Sequence, residues 1–171
     1  MKNYIRSRIS KLYKNEISKE SFINKYEEKE KKSINETYIK ELIKRARKNK
    51  DAGDIEEVVV LIYSGDFNND QYIEELCGVI LESWHFKHED IVQILHKLKD
   101  PSTVDFLYKV SEMHFDYLDY DDTYQLARKC IKALATIRSA NAIKKLQILL
   151  KSDNPIISEY AKKELDKLDS V

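Results

Sequence analysis

Glycine and proline are scarce in this chain, three and two respectively in 171 residues. An all-β sandwich or barrel needs a turn every few residues, and this supply of turn-formers is too small for one. Cysteine is scarce as well. Cys77 and Cys130 each sit in an apolar stretch at helical spacing, which predicts small buried hydrophobes with free thiols rather than a disulfide framework. No segment approaches the roughly 20 apolar residues that a membrane span needs. The basic start, Met1-Lys2-Asn3-Tyr4-Ile5-Arg6-Ser7-Arg8, lacks the apolar run of a signal peptide. A cytoplasmic chain without a membrane partner is the expectation. An excess of one charge is also missing, with 30 basic and 30 acidic side chains.

What is present is a mix of 42% hydrophobic and 35% charged residues. This composition predicts one globular, mostly helical domain over residues 1–171. Apolar residues recur at helical spacing almost throughout. Ile5, Ile9, Leu12 and Tyr13 mark a first helix, and Ser18 reads as the cap of a second that carries Phe22, Ile23 and Tyr26. Asn35 reads as the cap of a third. Asp54 opens an apolar segment to Tyr63 that includes Val58-Val59-Val60; a lone strand would have no partner, so a buried helix is expected. Further helices are predicted over Gln71–Ser83, His88–Leu98, from Asp100-Pro101 to Glu112, from Asp121 or Asp122 to Ile137, from Ser139 to Leu150, and from Asn154-Pro155 to about Leu168. Proline just after a capping side chain marks two of these starts.

An internal repeat runs through the second half. A shift of 39 residues lays Ile91, Val92, Leu95, Leu98, Val104, Leu107 and Val110 on Cys130, Ile131, Leu134, Ile137, Ile143, Leu146 and Leu149. A shift of 31 lays Cys130, Leu134 and Ile137 on Ala161, Leu165 and Leu168. The difference of eight locates an insertion, Met113-His114-Phe115-Asp116-Tyr117-Leu118-Asp119-Tyr120. A period of this size is that of stacked helical hairpins, each burying its face against the next.

The stretches Ala127–Ile137, Ala142–Leu150 and Ala161–Leu165 resemble the HEAT-like repeat family. The resemblance covers about residues 86–168, weakens over 35–85 and is absent over 1–34. It implies an all-α fold: a right-handed α-solenoid of stacked antiparallel helical hairpins, about ten helices, with residues 1–34 as N-terminal capping helices and 35–171 as the repeats. Three stretches, Trp84-His85-Phe86-Lys87-His88-Glu89-Asp90-Ile91, Tyr117–Asp122 and Leu126–Cys130, look like a narrower group of small bacterial HEAT-like proteins. Members of that group are often encoded beside secreted polymorphic toxins, as presumed immunity proteins.

Charge is unevenly distributed along the chain. Residues 1–50 hold sixteen basic and seven acidic side chains, residues 51–122 four and eighteen, and residues 123–171 ten and five. Part of this pattern is expected to be satisfied within the molecule, and an acidic middle of this strength would also steer a basic partner. The basic helix end from Lys44 to Lys50 suits phosphates, but the chain is not basic overall, and no interleaving of aromatic and basic residues marks a base-stacking groove. Binding of nucleic acid is therefore not the expectation.

Two clusters raise the question of chemistry. His85, His88 and Glu89 are spaced to meet on one helical turn, but three side chains without a repeated His-Glu pair read better as a helix start, where acids complement the dipole. Asp116, Asp119, Asp121 and Asp122 alternate with Tyr117, Tyr120 and Tyr124. The glycine turn and closing Glu of a calcium loop are missing, and nothing fixes the carboxylate pair of a glycosidase. One reading is that Asp121 or Asp122 caps the next helix and the others are solvated. The other is a partner-binding surface, in which Tyr supplies contact area and Asp pairs with Lys or Arg of the partner. The expected function is a non-catalytic protein-binding module with no cofactor and no metal, an immunity protein that neutralises a basic toxin domain through Asp116, Tyr117, Asp119, Tyr120, Asp121, Asp122 and Tyr124. The alternatives are a HEAT-like enzyme or nucleic-acid-binding protein, and a generic interaction scaffold.

Overall fold

The computed structural model describes residues 2–67 and 69–169. Among these residues the chain forms ten α-helices and three short 3-10 turns, with no strand. It divides into two compact units, Met1–Val79 and Ile80–Val171.

The first unit contains α1 (Lys2–Tyr13), α2 (Lys19–Glu30), α3 (Glu36–Asn49), α4 (Ala52–Ser64) and α5 (Ile73–Val79), with a 3-10 turn over Asn69–Tyr72. The Ser18 hydroxyl accepts from the Ser21 amide and the Asn35 side chain from the Tyr38 amide. Each satisfies a donor that the first helical turn leaves unpaired. Helix α4 starts earlier than expected. Its cap is Asp51, whose carboxylate takes the Gly53 and Asp54 amides. Asp54 lies inside the helix, buried, and meets the Arg45 guanidinium at 3.0 Å. Val58, Val59 and Val60 are buried helical residues. Helix α4 packs against α1, α2 and α3, which accounts for its apolar character on more than one side. The Tyr26 hydroxyl bonds to the Glu57 carboxylate and lies 2.9 Å from the Tyr38 hydroxyl. Burial pushes the Tyr38 phenol up to about 12 and raises the Glu57 carboxyl above its usual range.

The second unit contains α6 (His88–Leu98), α7 (Val104–Glu112), α8 (Gln125–Ile137), α9 (Ala140–Leu149) and α10 (Pro155–Asp169). Helix α8 packs against α6, α7, α9 and α10. Both α6 and α7 pack more extensively on α8 than on one another. The two-sided burial of α8 is written in its sequence, where Leu126, Ala127, Cys130, Ile131, Ala133, Leu134 and Ala135 are all buried. Ser139 caps α9 through the Ala142 amide, and Asn154 caps α10 through the amides of Ile156 and Ile157. Cys77 and Cys130 are free and buried.

The shortage of glycine shows at the helix ends. Left-handed closing positions favour glycine, yet here Lys31, Lys50, Lys99 and Arg138 hold them, at φ of 54°, 50°, 55° and 57°. Each amide bonds back to a carbonyl of the last turn: Glu27, Ala46, Leu95 and Leu134 respectively. A cation at the negative end of the helix dipole offsets part of the cost of that backbone. Gly65 ends α4 with extended backbone instead.

Candidate functional site

The expected insertion is an ordered connection between α7 and α8. Met113 leaves α7 in extended conformation, Phe115 continues extended, and Asp116–Leu118 forms a 3-10 turn. Amides then step along the chain, Leu118 to the Phe115 carbonyl, Asp121 to Leu118 and Tyr124 to Asp121. Tyr124 is left-handed at φ 53°, so α8 begins at Gln125, later than the aspartates suggested.

Two side chains fix this segment to the second unit. The Phe115 ring is buried 3.8 Å from the His88 ring, centroid to centroid, and His88 stacks on His85 at 4.1 Å. The Tyr117 hydroxyl lies 2.9 Å from His88 Nδ1, and the Glu82 carbonyl lies 2.9 Å from Nε2. A carbonyl only accepts, so Nε2 carries the proton and Nδ1 accepts the Tyr117 hydroxyl. Burial, and then the stacked His85, push His88 down to about 4, against the opposing effect of the Glu82 carbonyl. Burial pushes the Tyr117 phenol up to about 12. The ring of Phe86, which is 63% exposed, meets the Tyr117 ring edge-on at 5.3 Å.

Of the seven residues singled out in the sequence, two are engaged in holding the segment. Tyr117 is tied to His88. The Asp121 carboxylate accepts from the Thr123 amide at 3.1 Å, the Thr123 hydroxyl at 2.5 Å and the Gln125 amide at 2.6 Å. Those bonds, the Thr123 hydroxyl first, hold its carboxyl below the usual carboxylate range. Asp121 therefore closes the open end of α8. The other five, Asp116, Asp119, Tyr120, Asp122 and Tyr124, are exposed. Tyr120 is 82% exposed, the most of any large hydrophobic side chain among the described residues. His114 Nε2 lies 3.1 Å from Asp119 and 3.7 Å from Asp116.

Behind the segment lies a cleft of about 580 Å³. Phe115, Leu118, Leu126 and Ile157 give it an apolar floor, Glu112, Asp119 and Asp122 an acidic rim beside the helix-capping Asp121, and among the described residues no lysine or arginine lines it. A second cleft of about 410 Å³ is lined by Ser83, Phe86, Asp116 and Tyr117, and it shares His114 and Phe115 with the first. Sequence reasoning passed over Phe86, His114, Leu126 and Ile157 as surface candidates. An aromatic residue within the polar run His85–Asp90 was the available signal for Phe86. The others belong to the site only through chain folding.

The His85, His88 and Glu89 cluster is assembled for packing. Both ring nitrogens of His88 are occupied, His85 Nδ1 accepts the Lys87 amide at 3.2 Å, and the Glu89 carboxylate meets Lys129 Nζ at 2.6 Å. Among the described residues no three His, Cys, Asp or Glu side chains converge as metal ligands would. The lowered Asp121 carboxyl is opposite to the raised one that a general acid requires. At the basic end of α3, Lys44 faces Glu75 at 3.5 Å and Arg45 faces Asp54 at 3.0 Å, so some of the cations in that run are answered within the first unit; Lys40, a turn earlier, also faces Glu75, at 3.2 Å. No helix among the described residues is long and apolar enough to cross a membrane. Comparison with family models, curated proteins and solved structures returns no match to this chain.

Proposed function

We propose that this chain is a non-catalytic protein-binding module and that residues 113–124 present its binding surface to a basic protein partner. The observation that carries the reading is the contrast within this one segment. Phe115 and Tyr117 tie it down through a buried histidine, while Tyr120 stands 82% exposed among carboxylates. A rigid backbone that leaves a large aromatic in water offers contact area without a large ordering cost on binding. The carboxylates around it favour a partner of opposite charge, raising association rate and specificity. The proposal extends to the finer reading of the sequence: a right-handed stack of helical hairpins, located in the cytoplasm, that neutralises a cognate toxin domain. The support for this is the repeat and the resemblance of Trp84–Ile91, Tyr117–Asp122 and Leu126–Cys130 to immunity proteins of the HEAT-like group.

Charge reversal tests the surface, with Asp121 spared because it caps α8. The Asp119→Lys, Asp122→Lys double variant should associate about tenfold more slowly with a partner captured from the native cell, at low ionic strength. The difference should shrink toward 1 M salt, where screening acts over about 3 Å. Tyr120→Ala should instead speed dissociation. If the double variant binds the captured partner as fast and as tightly as the parent, the segment is not the interface.

A further inference from the structure

We infer that the cleft behind residues 113–124 seats an arginine side chain from an extended segment of the basic partner. This rests on the reading of that segment as a protein-binding surface, and it specifies what the surface recognises.

The cleft is of the size that takes a small ligand or a few residues of chain. Its floor is apolar, from Phe115, Leu118, Leu126 and Ile157, and its rim is acidic, from Glu112, Asp119 and Asp122. An occupant must match both. A long basic side chain does so, since its methylene stem lies on apolar surface while its charged head stays at the edge. The chain already places a nitrogen group against the rim carboxylates. His114 Nε2 sits against Asp119 at 3.1 Å and Asp116 at 3.7 Å. Those pairs are exposed, so the imidazole is held weakly and is readily displaced.

Arginine fits better than lysine. Its guanidinium has five donors in a rigid plane and stacks on aromatic faces, whereas an ammonium is a strongly hydrated point charge. The cleft supplies several carboxylates together with the rings of Tyr124 and His114. The occupant belongs to an extended chain rather than a compact small molecule because a second cleft adjoins the first, with His114 and Phe115 as their common wall. A strand of partner lying along the segment would fill both, with its arginine in the larger and its neighbouring residues against Phe86 and Tyr117.

The test is an NMR titration of the isotope-labelled full chain with capped Gly-Ser peptides carrying arginine, lysine or citrulline, and with arginine amide alone. Citrulline keeps the shape and removes the charge. The arginine peptide should give saturable amide shifts at Leu118, Leu126 and Ile157. Binding should be at least about threefold weaker for lysine and about tenfold weaker for citrulline. Asp119→Asn with Asp122→Asn should weaken the arginine peptide about tenfold. Equal binding of the citrulline peptide overturns the inference. So does equal binding of arginine amide, which makes the occupant a small cation. Shifts confined to residues 116 and 120 overturn the cleft as the seat and leave the binding surface standing. No shift up to about 10 mM peptide also overturns it, and the charge-reversal experiment with the captured partner then decides the surface separately.

Discussion

The histidine beneath the candidate site sets a pH limit on the second unit. His88 is fully buried, its Nε2–H is given to the Glu82 carbonyl, and its Nδ1 accepts from Tyr117. A proton added to Nδ1 would force the Tyr117 hydroxyl to turn from donor to acceptor and would place a charge in a buried site walled by the His85 and Phe115 rings. Burial first, and stacked His85 second, hold the group near 4 against an ordinary 6.5. Between these two values the unfolded chain binds a proton that the folded chain refuses. The folded state therefore keeps its full stability above about 6.5 and loses it progressively as pH falls toward about 4. A difference of this size corresponds to about 3 kcal/mol, a slope of about 1.4 kcal/mol per pH unit. Trp84, the sole tryptophan, lies 5.3 Å from the His85 ring, so its fluorescence reports on this cluster. Denaturant unfolding followed by Trp84 between pH 4 and pH 7 gives the slope. Carboxylates titrate in the lower part of that window too. The comparison is therefore with His88→Gln, which is less stable at pH 7 and lacks the histidine's share of the slope. The His88 ring resonance, assigned by its absence in the variant, should titrate near 4. A ring that titrates near 6.5, or parent and variant with the same slope, refutes the argument that this node is dry and neutral.

The remaining predictions concern stability. Asp121→Ala should cost about 0.5–2 kcal/mol, the range for loss of a helix cap, while Asp122→Ala, with no partner to lose among the described residues, should stay within about 0.5 kcal/mol; equal thermal midpoints for the two variants would remove Asp121 from its capping role. Leu134→Ala on α8 and Leu146→Ala on α9 each truncate a fully buried side chain, and each should cost about 2–5 kcal/mol. A parent-like denaturation midpoint in either would mean that the second unit does not depend on the packing of these two helices.

The parts of the fold that read directly from the sequence are those fixed by neighbours along the chain. Ser18, Asn35, Ser139 and Asn154 cap helices through amides two or three residues on, and the periodicity of α6 locates it from His88 to Leu98. Where the structure departs from the sequence expectation, a local competitor decides the matter. Helix α5 covers only Ile73–Val79 of the expected Gln71–Ser83, preceded by a 3-10 turn and with Gly78 in its last turn, where glycine favours termination. Asp51 caps α4 because its carboxylate reaches two amides at once, while Asp54, one turn on, faces inward and pairs with Arg45. Helix α8 starts at Gln125 because a left-handed Tyr124 cannot belong to the helix it precedes.

The site was legible as chemistry and not as geometry. Alternating Asp and Tyr marked residues 116–124, and the eight-residue mismatch of the repeat marked residues 113–120 as extra, both from the sequence alone. Which of those side chains face a partner depends on contacts made far along the chain. Tyr117 is withdrawn by a histidine 29 residues earlier. The floor of the cleft takes Ile157 from α10 and Leu126 from α8, residues that periodicity assigns to the core without saying that a cavity opens above them. Asp121 shows the sharpest form of the problem. Its neighbours Asp119 and Asp122 carry the same charge in the same run, yet Asp121 accepts three hydrogen bonds, two from backbone amides and one from the Thr123 hydroxyl. Composition assigns all three aspartates one role, and all three line the cleft, yet the bonds from Thr123 and Gln125 make Asp121 a structural carboxylate and leave Asp119 and Asp122 exposed at the rim.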